Sequence, residues 1–344
     1  MFFQNTGVLY LILFVILLPP EGFPSRGYGT FLEERTVGLL QRFLTKGGLL
    51  VGDGAMGTML QASGLEPGEA PEGLNLIRPR AVREVHQAYA DAWADVLTTN
   101  TFGANRFRLS LHDLEEGAPE VNRAAAGLAR EAASGAGREI LVAGGMGPTG
   151  ALLEPIGDLP FEQAREAFAE QCRALAEGGV DFLLIETMSD LEEVRAAVEA
   201  CHRNCDLPVL CTMTFDMHGR TMMGTAPEEA RKTAERLGVD AFGANCGNGP
   251  FEIEAIMQEM ADSSRIPLIV QPNAGRPRLA DGQINYGVTP ERMAEHALRC
   301  FETGVRYIGG CCGTTPEHVR AAGEALRRAW DRRPTRLAPS EGIN

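Results

Sequence analysis

Residues 162–186, EQAREAFAEQCRALAEGGVDFLLIE, contain the pattern that decides the fold. Apolar residues recur at helical spacing from Glu162 to Glu177, and Gly178-Gly179 provides a left-handed helix end. The next run, Asp181–Glu186, is almost continuously apolar, as strands covered on both faces are. A helix followed directly by a buried strand predicts one unit of a parallel α/β fold.

The same alternation extends over most of the chain. Short apolar runs alternate with longer helical patterns, and two of the helices are predicted to begin at Thr289-Pro290 and Thr315-Pro316. Eight runs are predicted as strands: Leu49–Asp53, Asp95–Asn100, Ile140–Gly144, Asp181–Glu186, Pro208–Thr214, Ala241–Asn245, Pro267–Gln271 and Arg306–Gly310. Eight β/α repeats predict a (β/α)8 TIM barrel of a single domain.

The two ends of the chain are predicted to lie outside this barrel. Val8–Leu18 is an unbroken apolar run, followed by Pro19-Pro20 and a Gly/Pro/Ser-rich stretch. The run lacks the basic residues and cleavage motif of a signal peptide, and it is too short to span a bilayer comfortably. We therefore expect an appendage over residues 1–30, a barrel over residues 31–333, a tail over residues 334–344 and no stable membrane anchor.

Composition narrows the class of function. The 32 Lys and Arg against 46 Asp and Glu give a net charge of −14, which disfavours nucleic acid and anionic membranes as partners. Eight cysteines in 344 residues are too sparse for a disulfide framework and fit reduced thiols in a cytoplasmic protein. An enzyme acting on a small molecule is the expectation.

Three cysteines at the ends of predicted strands form a candidate metal site. Cys246 lies in Asn245-Cys246-Gly247, and Cys311 and Cys312 lie in the run GGCCGT, residues 309–314. Three thiolates favour Zn²⁺ and leave one tetrahedral position open, as in catalytic zinc sites. The flanking glycines allow the backbone to leave the pleat, so that both adjacent sulfurs can reach one ion. The remaining cysteines are assigned no role: Cys172, Cys201, Cys205, Cys211 and Cys300.

Such a zinc site favours one kind of chemistry. A cation already bound by three thiolates is a poor Lewis acid towards water. It can still bind a fourth thiol as the thiolate, which is the nucleophilic form. Transfer of an alkyl group to the sulfur of a substrate is therefore the expected reaction.

Other polar residues are predicted at the same rim. The run GDGAMG, residues 52–57, matches a dinucleotide-binding motif, but the next predicted strand ends in Thr-Thr-Asn without an acidic residue for a ribose. In a barrel, Asp53 would instead face the mouth, and Gly54 and Ala55 would let backbone amides approach a substrate carboxylate. Glu186 is predicted to bind a substrate ammonium, with a structural ion pair as the alternative. Candidate rim contacts are Asn100, Asn245 and Asn273.

Taken in order, these motifs resemble the homocysteine S-methyltransferase family, and most closely the homocysteine-binding module of cobalamin-dependent methionine synthases. The similar segments are residues 52–58, 99–102, 147–149, 185–187, 245–247, 271–275 and 309–316. The resemblance implies a TIM barrel that methylates homocysteine to methionine. It also implies zinc on Cys246, Cys311 and Cys312 that receives the homocysteine thiolate, with Asp53, Gly54, Ala55 and Glu186 holding the amino acid.

The resemblance leaves the methyl donor open. The sequence contains no D-x-H-x-x-G cobalamin signature, and its end at Asn344 leaves no room for folate or corrinoid modules. We expect either a free small molecule, such as a betaine or sulfonium compound, or a methyl-corrinoid on a separate protein. Two alternative functions remain at this stage: methylation of a different thiol, and a non-catalytic zinc-binding barrel subunit.

Overall fold

The computed structural model describes residues 38–333, except residue 67 and residues 281–282. The apolar run Val8–Leu18, the proposed appendage and the proposed tail lie outside the described residues, and the predicted domain limits stay predictions. None of the helices in the described ranges is both long and apolar enough to cross a membrane.

The described residues contain eight parallel strands that form one sheet. They are β1 Leu50–Val51, β2 Val96–Thr98, β3 Leu141–Met146, β4 Phe182–Met188, β5 Val209–Met213, β6 Ala241–Cys246, β7 Leu268–Pro272 and β8 Tyr307–Ile308. The strands pair in the order β1-β8-β7-β6-β5-β4-β3-β2. The two end strands approach each other, since the Asp95 amide donates to the Val51 carbonyl at 2.7 Å. The predicted TIM barrel and all eight of its strands are confirmed.

A helix follows each strand of the barrel. These are α1 Pro79–Asp91, α2 Ala118–Gly135, α3 Phe161–Glu177, α4 Leu191–Asn204, α5 Pro227–Leu237, α6 Pro250–Ala261, α7 Pro290–Glu302 and α8 Pro316–Asp331. Shorter α-helices lie at Leu39–Lys46, Met56–Ala62, Leu74–Ile77 and Arg106–Leu109, and 3₁₀ turns at Pro71–Gly73, Ser110–His112 and Glu115–Gly117. Thr289 and Thr315 cap α7 and α8, as the Thr-Pro pairs predict.

A small antiparallel hairpin between β7 and α7 was not predicted. It pairs Arg278–Ala280 with Gln283–Asn285. Each of its strands is three residues long, which is too short for the alternation of apolar and polar residues that identifies a strand in a sequence.

The core inside the barrel receives at least one side chain from every strand. Its fully enclosed residues are Leu50, Val96, Leu141, Ala143, Phe182, Leu184, Leu210, Ala241, Ile269 and Tyr307, together with Phe43. Phe43 comes from the helix Leu39–Lys46, which precedes β1 and closes the N-terminal end of the barrel. Its ring packs edge-on against Tyr307, with the ring centres 6.1 Å apart. A site that opens to solvent along the barrel axis can therefore form only at the opposite, C-terminal end.

Three aspartates fix the register of alternate strands. Asp95, Asp181 and Asp240 each precede an even-numbered strand, and each backbone amide donates to a valine carbonyl on the strand before it at 2.7–2.8 Å. Each carboxylate accepts the amide of that same valine, at 3.0, 2.6 and 2.8 Å; the valines are Val51, Val142 and Val209. The carboxylate thus provides an acceptor for a valine amide that would otherwise lack a hydrogen-bond partner.

Candidate metal centre

The three predicted ligands converge at the C-terminal end of the barrel. The sulfurs of Cys246, Cys311 and Cys312 all lie within 4.8 Å of one another, and all three side chains are half-buried. The Sγ atoms of Cys311 and Cys312 are 4.0 Å apart. Cys246 ends β6, whereas the other two follow β8 after Gly309-Gly310. The pairing of β7 with both β6 and β8 therefore brings together two positions that are 65 residues apart in the chain.

The backbone at Cys246 leaves the regular strand. Cys246 has a left-handed φ of 63°, which is uncommon for any residue with a side chain, and Gly247 follows with φ 70°. Asn273 holds this turn, because its side-chain amide donates to the Gly247 carbonyl at 2.7 Å. Its backbone amide donates to the Cys246 carbonyl at 3.3 Å. The turn directs the Cys246 sulfur away from the sheet and towards the vicinal pair.

The vicinal pair is held by backbone hydrogen bonds to the end of β7. The Cys311 amide donates to the Pro272 carbonyl at 2.8 Å, and the Cys312 carbonyl accepts the Ala274 amide at 2.9 Å. Gly313 adopts φ 77°, and the ring of Tyr286 lies against it so closely that any side chain there would overlap the ring. The glycines around the pair are therefore needed for the irregular path, as the sequence predicts.

The three thiols strongly influence one another's ionisation. The pKa of Cys246 is lowered to about 3, because the thiols of Cys311 and Cys312 donate hydrogen bonds to its thiolate. The pKa of Cys311 is raised well above its usual range, and that of Cys312 to about 11, first because their thiols are the donors to Cys246. A second or third thiolate here needs a cation beside it. Metal binding must therefore release protons.

A cavity of about 250 Å³ opens beside the cluster. Its wall includes the three cysteines, both predicted carboxylates and the segment that begins the helix Met56–Ala62, as well as Thr98, Asn100, Phe102 and Gln271. This volume suits a small molecule such as an amino acid. The cavity brings Asp53, Gly54, Ala55, Glu186 and the cysteines to one place, although they come from four strand ends.

Glu186 lines the cavity from β4, and none of the described cationic side chains is paired with it. Burial, together with the charges of Asp53 and Cys246, raises its pKa to about 8, and no cation is among the causes. This arrangement weighs against the structural ion pair considered as the alternative. A carboxylate in such a position gains most from a ligand that brings a positive charge.

Asp53 faces the mouth but is also tied to β2. Its carboxylate accepts the Thr98 amide at 2.7 Å and the Thr98 hydroxyl at 2.9 Å. Burial raises its pKa to about 7, against the lowering effect of these two bonds. Its carbonyl accepts the Gly310 amide at 2.9 Å. Asp53 therefore connects β1, β2 and the loop that carries the vicinal cysteines.

Gly54 and Ala55 form the wall beside Asp53. The Ala55 amide donates to the Thr314 carbonyl at 3.1 Å, so that amide already has an acceptor. A side chain at Gly54 would meet the Thr314 carbonyl and the Tyr89 hydroxyl at 2.9 Å. Glycine is thus required at residue 54 for close packing behind the cavity.

The three asparagines predicted as rim contacts hold loops together. Asn245 accepts the Thr187 amide at 2.9 Å and donates to the Thr187 hydroxyl at 2.6 Å, which fixes the left-handed residue next to Glu186. Asn100 donates to the Pro71 carbonyl at 2.7 Å and to Asn75. Asn273 holds the Cys246 turn, as described above.

Sequence reasoning missed several residues around the site. Thr98 holds Asp53 and carried no signal beyond its strand-end position. Thr187, near the end of β4, lies in a segment that resembles the family but was assigned no role. The pKa of Tyr286 is raised to about 12 by burial and by the charge of Cys312, which lies beside it. Tyr286 follows the hairpin that the sequence did not reveal, so its proximity to the cysteines could not be foreseen.

The donor set fits a zinc ion. Four sulfurs bound tetrahedrally at about 2.3 Å would lie roughly 3.8 Å apart, close to the 4.0 Å between the Cys311 and Cys312 sulfurs. Two buried side-chain amide oxygens near the end of β7 have no hydrogen-bond partner among the described residues. They are Gln271 Oε1 and Asn273 Oδ1. Buried polar atoms without a partner call for an explanation, and a ligand of this site would be one.

Comparison with known proteins decides the family. The model of the homocysteine S-methyltransferase family matches residues 50–326. The chain belongs to the homocysteine S-methyltransferase family. The recognition from the rim motifs is confirmed, and with it the assignment to an enzyme family of methyltransferases.

Similar proteins fall into two groups. The chain is 36% identical over 309 residues to methionine synthase of Mycobacterium tuberculosis and 35% identical over 301 residues to that of Mycobacterium leprae. These matches cover 85% and 82% of this chain but about a quarter of those relatives, 26% and 25%. The metallated crystal structure of the homocysteine methyltransferase MmuM from Escherichia coli is similar with a TM-score of 0.68 and 26% identity. That match covers 83% of this chain and 99% of MmuM.

Proposed function

We propose that the chain transfers a methyl group to the sulfur of homocysteine, giving methionine, and that it uses a zinc ion held by Cys246, Cys311 and Cys312. One observation carries the proposal. Three sulfurs that converge within 4.8 Å line the same cavity as a carboxylate, Glu186, whose ionisation no cation favours. A molecule with a thiol at one end and an ammonium at the other complements both features.

Zinc held by three thiolates supplies one thing when bound: a fourth thiol joins it as thiolate at neutral pH and stays nucleophilic. The chain's own residues prepare that position. The left-handed turn at Cys246 and the glycines around Cys311 and Cys312 aim the three sulfurs at one point. Asn273 fixes the turn, so the ligands are positioned before any substrate arrives.

The amino-acid part of homocysteine is assigned to the opposite wall. Glu186 would accept hydrogen bonds from the substrate ammonium, and the positive charge would lower the pKa of this carboxyl from about 8. Asp53 adds a second negative charge near it and is oriented by Thr98. Gly54 and Ala55 would face the substrate carboxylate. Two fixed ends would orient the sulfur for in-line attack on the donor methyl group.

Between the two classes of donor, the surface around the mouth favours a carrier protein. Ten large apolar side chains are notably exposed among the described residues. Nine of them lie between a barrel strand and the following helix or, for Phe251, in the first turn of that helix, which places them at the C-terminal end of the barrel. They are Leu76, Ile77, Phe102, Leu111, Leu152, Ile156, Met217, Met222 and Phe251. A rim of this kind suits contact with a protein. We infer that the donor is a methyl-corrinoid on a separate protein or domain, as the similarity to methionine synthases also suggests.

The test is a methyl-transfer assay with the zinc-loaded protein. Homocysteine is incubated with a methyl-corrinoid, a betaine and a sulfonium donor in turn, and methionine is measured. Methionine from at least one donor is expected, and cysteine and glutathione in place of homocysteine should give at most about a hundredth of the rate. Faster methylation of another thiol would replace the proposed substrate. Zinc binding without methyl transfer from any donor would favour the non-catalytic alternative.

A further inference from the structure

A second group of sulfur atoms lies away from the metal site. Cys172 of α3 and Cys205, just after α4, have their Sγ atoms 3.6 Å apart. Cys201 of α4 lies in the same layer, with its sulfur 3.9 Å from that of Met146. Cys300, by contrast, has His296 as its neighbour. The sequence assigned none of these thiols a role, but two of them lie nearly in contact.

The two sulfurs of this pair differ in exposure. Cys172 is fully buried, whereas Cys205 is half-buried and reaches the surface. Cys205 adopts an extended conformation, with φ −155° and ψ 165°, and begins the short segment between α4 and β5. A disulfide bond requires a sulfur separation of about 2.05 Å, so the sulfurs must approach by about 1.5 Å. A residue in a connecting segment can make that shift more easily than one inside a helix.

We propose that Cys172 and Cys205 form a redox-active thiol pair that a hydroperoxide converts into a disulfide. Cys205 is the residue that meets the oxidant, because it alone of the two reaches the surface. Cys172 is the residue that completes the bond from inside the protein. The pair lies at the start of β5, at the end of the barrel opposite the metal centre.

The reaction balances with hydrogen peroxide as the oxidant. The Cys205 sulfur attacks one peroxide oxygen, the O–O bond breaks, and the departing hydroxide takes the Cys205 proton to leave as water. The resulting sulfenic acid is attacked by the Cys172 thiolate, the S–O bond breaks, and hydroxide leaves and is protonated by solvent. Two thiols are oxidised, one peroxide is reduced to water, and one S–S bond forms.

The two thiols of the pair differ in their ionisation. The pKa of Cys172 is lowered, because the thiols of Cys201 and Cys205 donate hydrogen bonds to its thiolate. The pKa of Cys205 is raised to about 11, mainly by burial. The lowered pKa of Cys172 favours the thiolate that attacks in the second step, whereas Cys205 must give up its proton as it reacts with the oxidant.

The experiment maps the bond in the zinc-loaded full-length protein. Hydrogen peroxide is added, free thiols are blocked with iodoacetamide, and tryptic peptides are analysed without reduction. Cys172, Cys201 and Cys205 fall in three different peptides, EAFAEQCR (166–173), AAVEACHR (196–203) and NCDLPVLCTMTFDMHGR (204–220). Because the third peptide also contains Cys211, the Cys205→Ser and Cys211→Ser variants identify the linked residue. Cys300→Ser is the matched control.

The expected product links the peptides 166–173 and 204–220. It should disappear in Cys205→Ser and persist in Cys211→Ser and Cys300→Ser. Closing this loop should also raise Tm by roughly 5 °C in the wild-type protein and not in Cys205→Ser. A chromophoric chelator should detect no zinc release while the link forms. A link from Cys172 to Cys201, or zinc loss with both Cys172 and Cys205 still alkylated as free thiols, would overturn the proposal.

Discussion

At the scale of single residues, the three ligand cysteines are proposed to bind the metal, and the two carboxylates, Asp53 and Glu186, to face the ammonium of the substrate. The sequence predicted the three cysteines because their types, glycine neighbours and strand-end positions all pointed to the same chemistry. It could not predict that Cys246 would adopt φ 63°, or that Asn273 would hold the turn, because both depend on the packing of β6 against β7. The sequence therefore identifies the ligand residues, whereas the direction of their side chains depends on how the strands pack.

Removing one ligand tests the metal centre. Cys246→Ala and Cys312→Ala should each weaken zinc binding by more than about a hundredfold and abolish methyl transfer, because two thiolates cannot complete the donor set. The barrel should remain, since both side chains lie at the rim and not in the core. Chelator competition measures the affinity and circular dichroism the fold. Cys300→Ala is the control and should keep its zinc; an unfolded Cys246→Ala protein would instead indicate a structural metal.

Replacing Glu186 tests the ammonium site. Glu186→Gln should raise KM for homocysteine by about 10- to 100-fold, since a hydrogen bond to a charged group contributes about 1.5–3 kcal/mol. Zinc content should not change. An unchanged KM would remove Glu186 from the substrate site.

The same variant gives a pH test with a defined sign. In the empty site the pKa of Glu186 is raised to about 8, so the carboxyl is protonated below that pH and must lose its proton to bind an ammonium. Affinity for methionine, which has no thiol proton to release, should therefore increase up to about tenfold per pH unit between pH 6 and pH 8. Titration calorimetry measures it. The increase should be absent in Glu186→Gln, and a wild-type affinity independent of pH would contradict the assignment.

At the scale of elements, strand ends bring the site together. All eight predicted strands are present because buried parallel strands are nearly continuous apolar runs, which a single sequence shows clearly. The hairpin Arg278–Ala280 with Gln283–Asn285 escaped prediction because its strands are short. Tyr286 directly follows this hairpin, and its position beside the cysteines was therefore not predicted.

The aspartates before alternate strands give a prediction about stability. Asp240→Ala leaves the buried Val209 amide without its hydrogen-bond partner and should lower the free energy of unfolding by about 1–3 kcal/mol. KM for homocysteine should not change, since Asp240 lies at the end of the barrel away from the cavity. Urea denaturation measures the difference. Asp206→Ala, an exposed aspartate nearby, is the matched control and should have little effect; equal losses in both variants would refute the register role.

At the scale of the whole molecule, the two ends of the barrel differ. Phe43 closes the N-terminal end, whereas the C-terminal end carries the cavity with the three cysteines and has exposed apolar side chains around it. Sequence composition predicted an acidic small-molecule enzyme, but not how its exposed apolar residues are distributed. That distribution is a property of the closed barrel, because residues from five different connections meet only when the strands pair.

The rim predicts how the donor binds. Substituting Ile156 and Met222 with serine should lower kcat/KM for a protein-bound methyl-corrinoid about tenfold or more, because both side chains are largely exposed at the mouth. The rate with free methylcobalamin should change little. Trp93→Ser, an exposed apolar residue at the opposite end, is the control. Equal losses with both forms of donor would argue against a docking surface.

The central claim is that three sulfurs bind one zinc ion and leave a position for an incoming thiol. Zinc-edge X-ray absorption tests it directly on the zinc-loaded protein, before and after homocysteine is added. We expect three sulfur neighbours at about 2.3 Å and one lighter atom at first, and four sulfur neighbours once homocysteine is present. Fewer than three sulfurs at the start, or a spectrum that homocysteine leaves unchanged, would contradict the account.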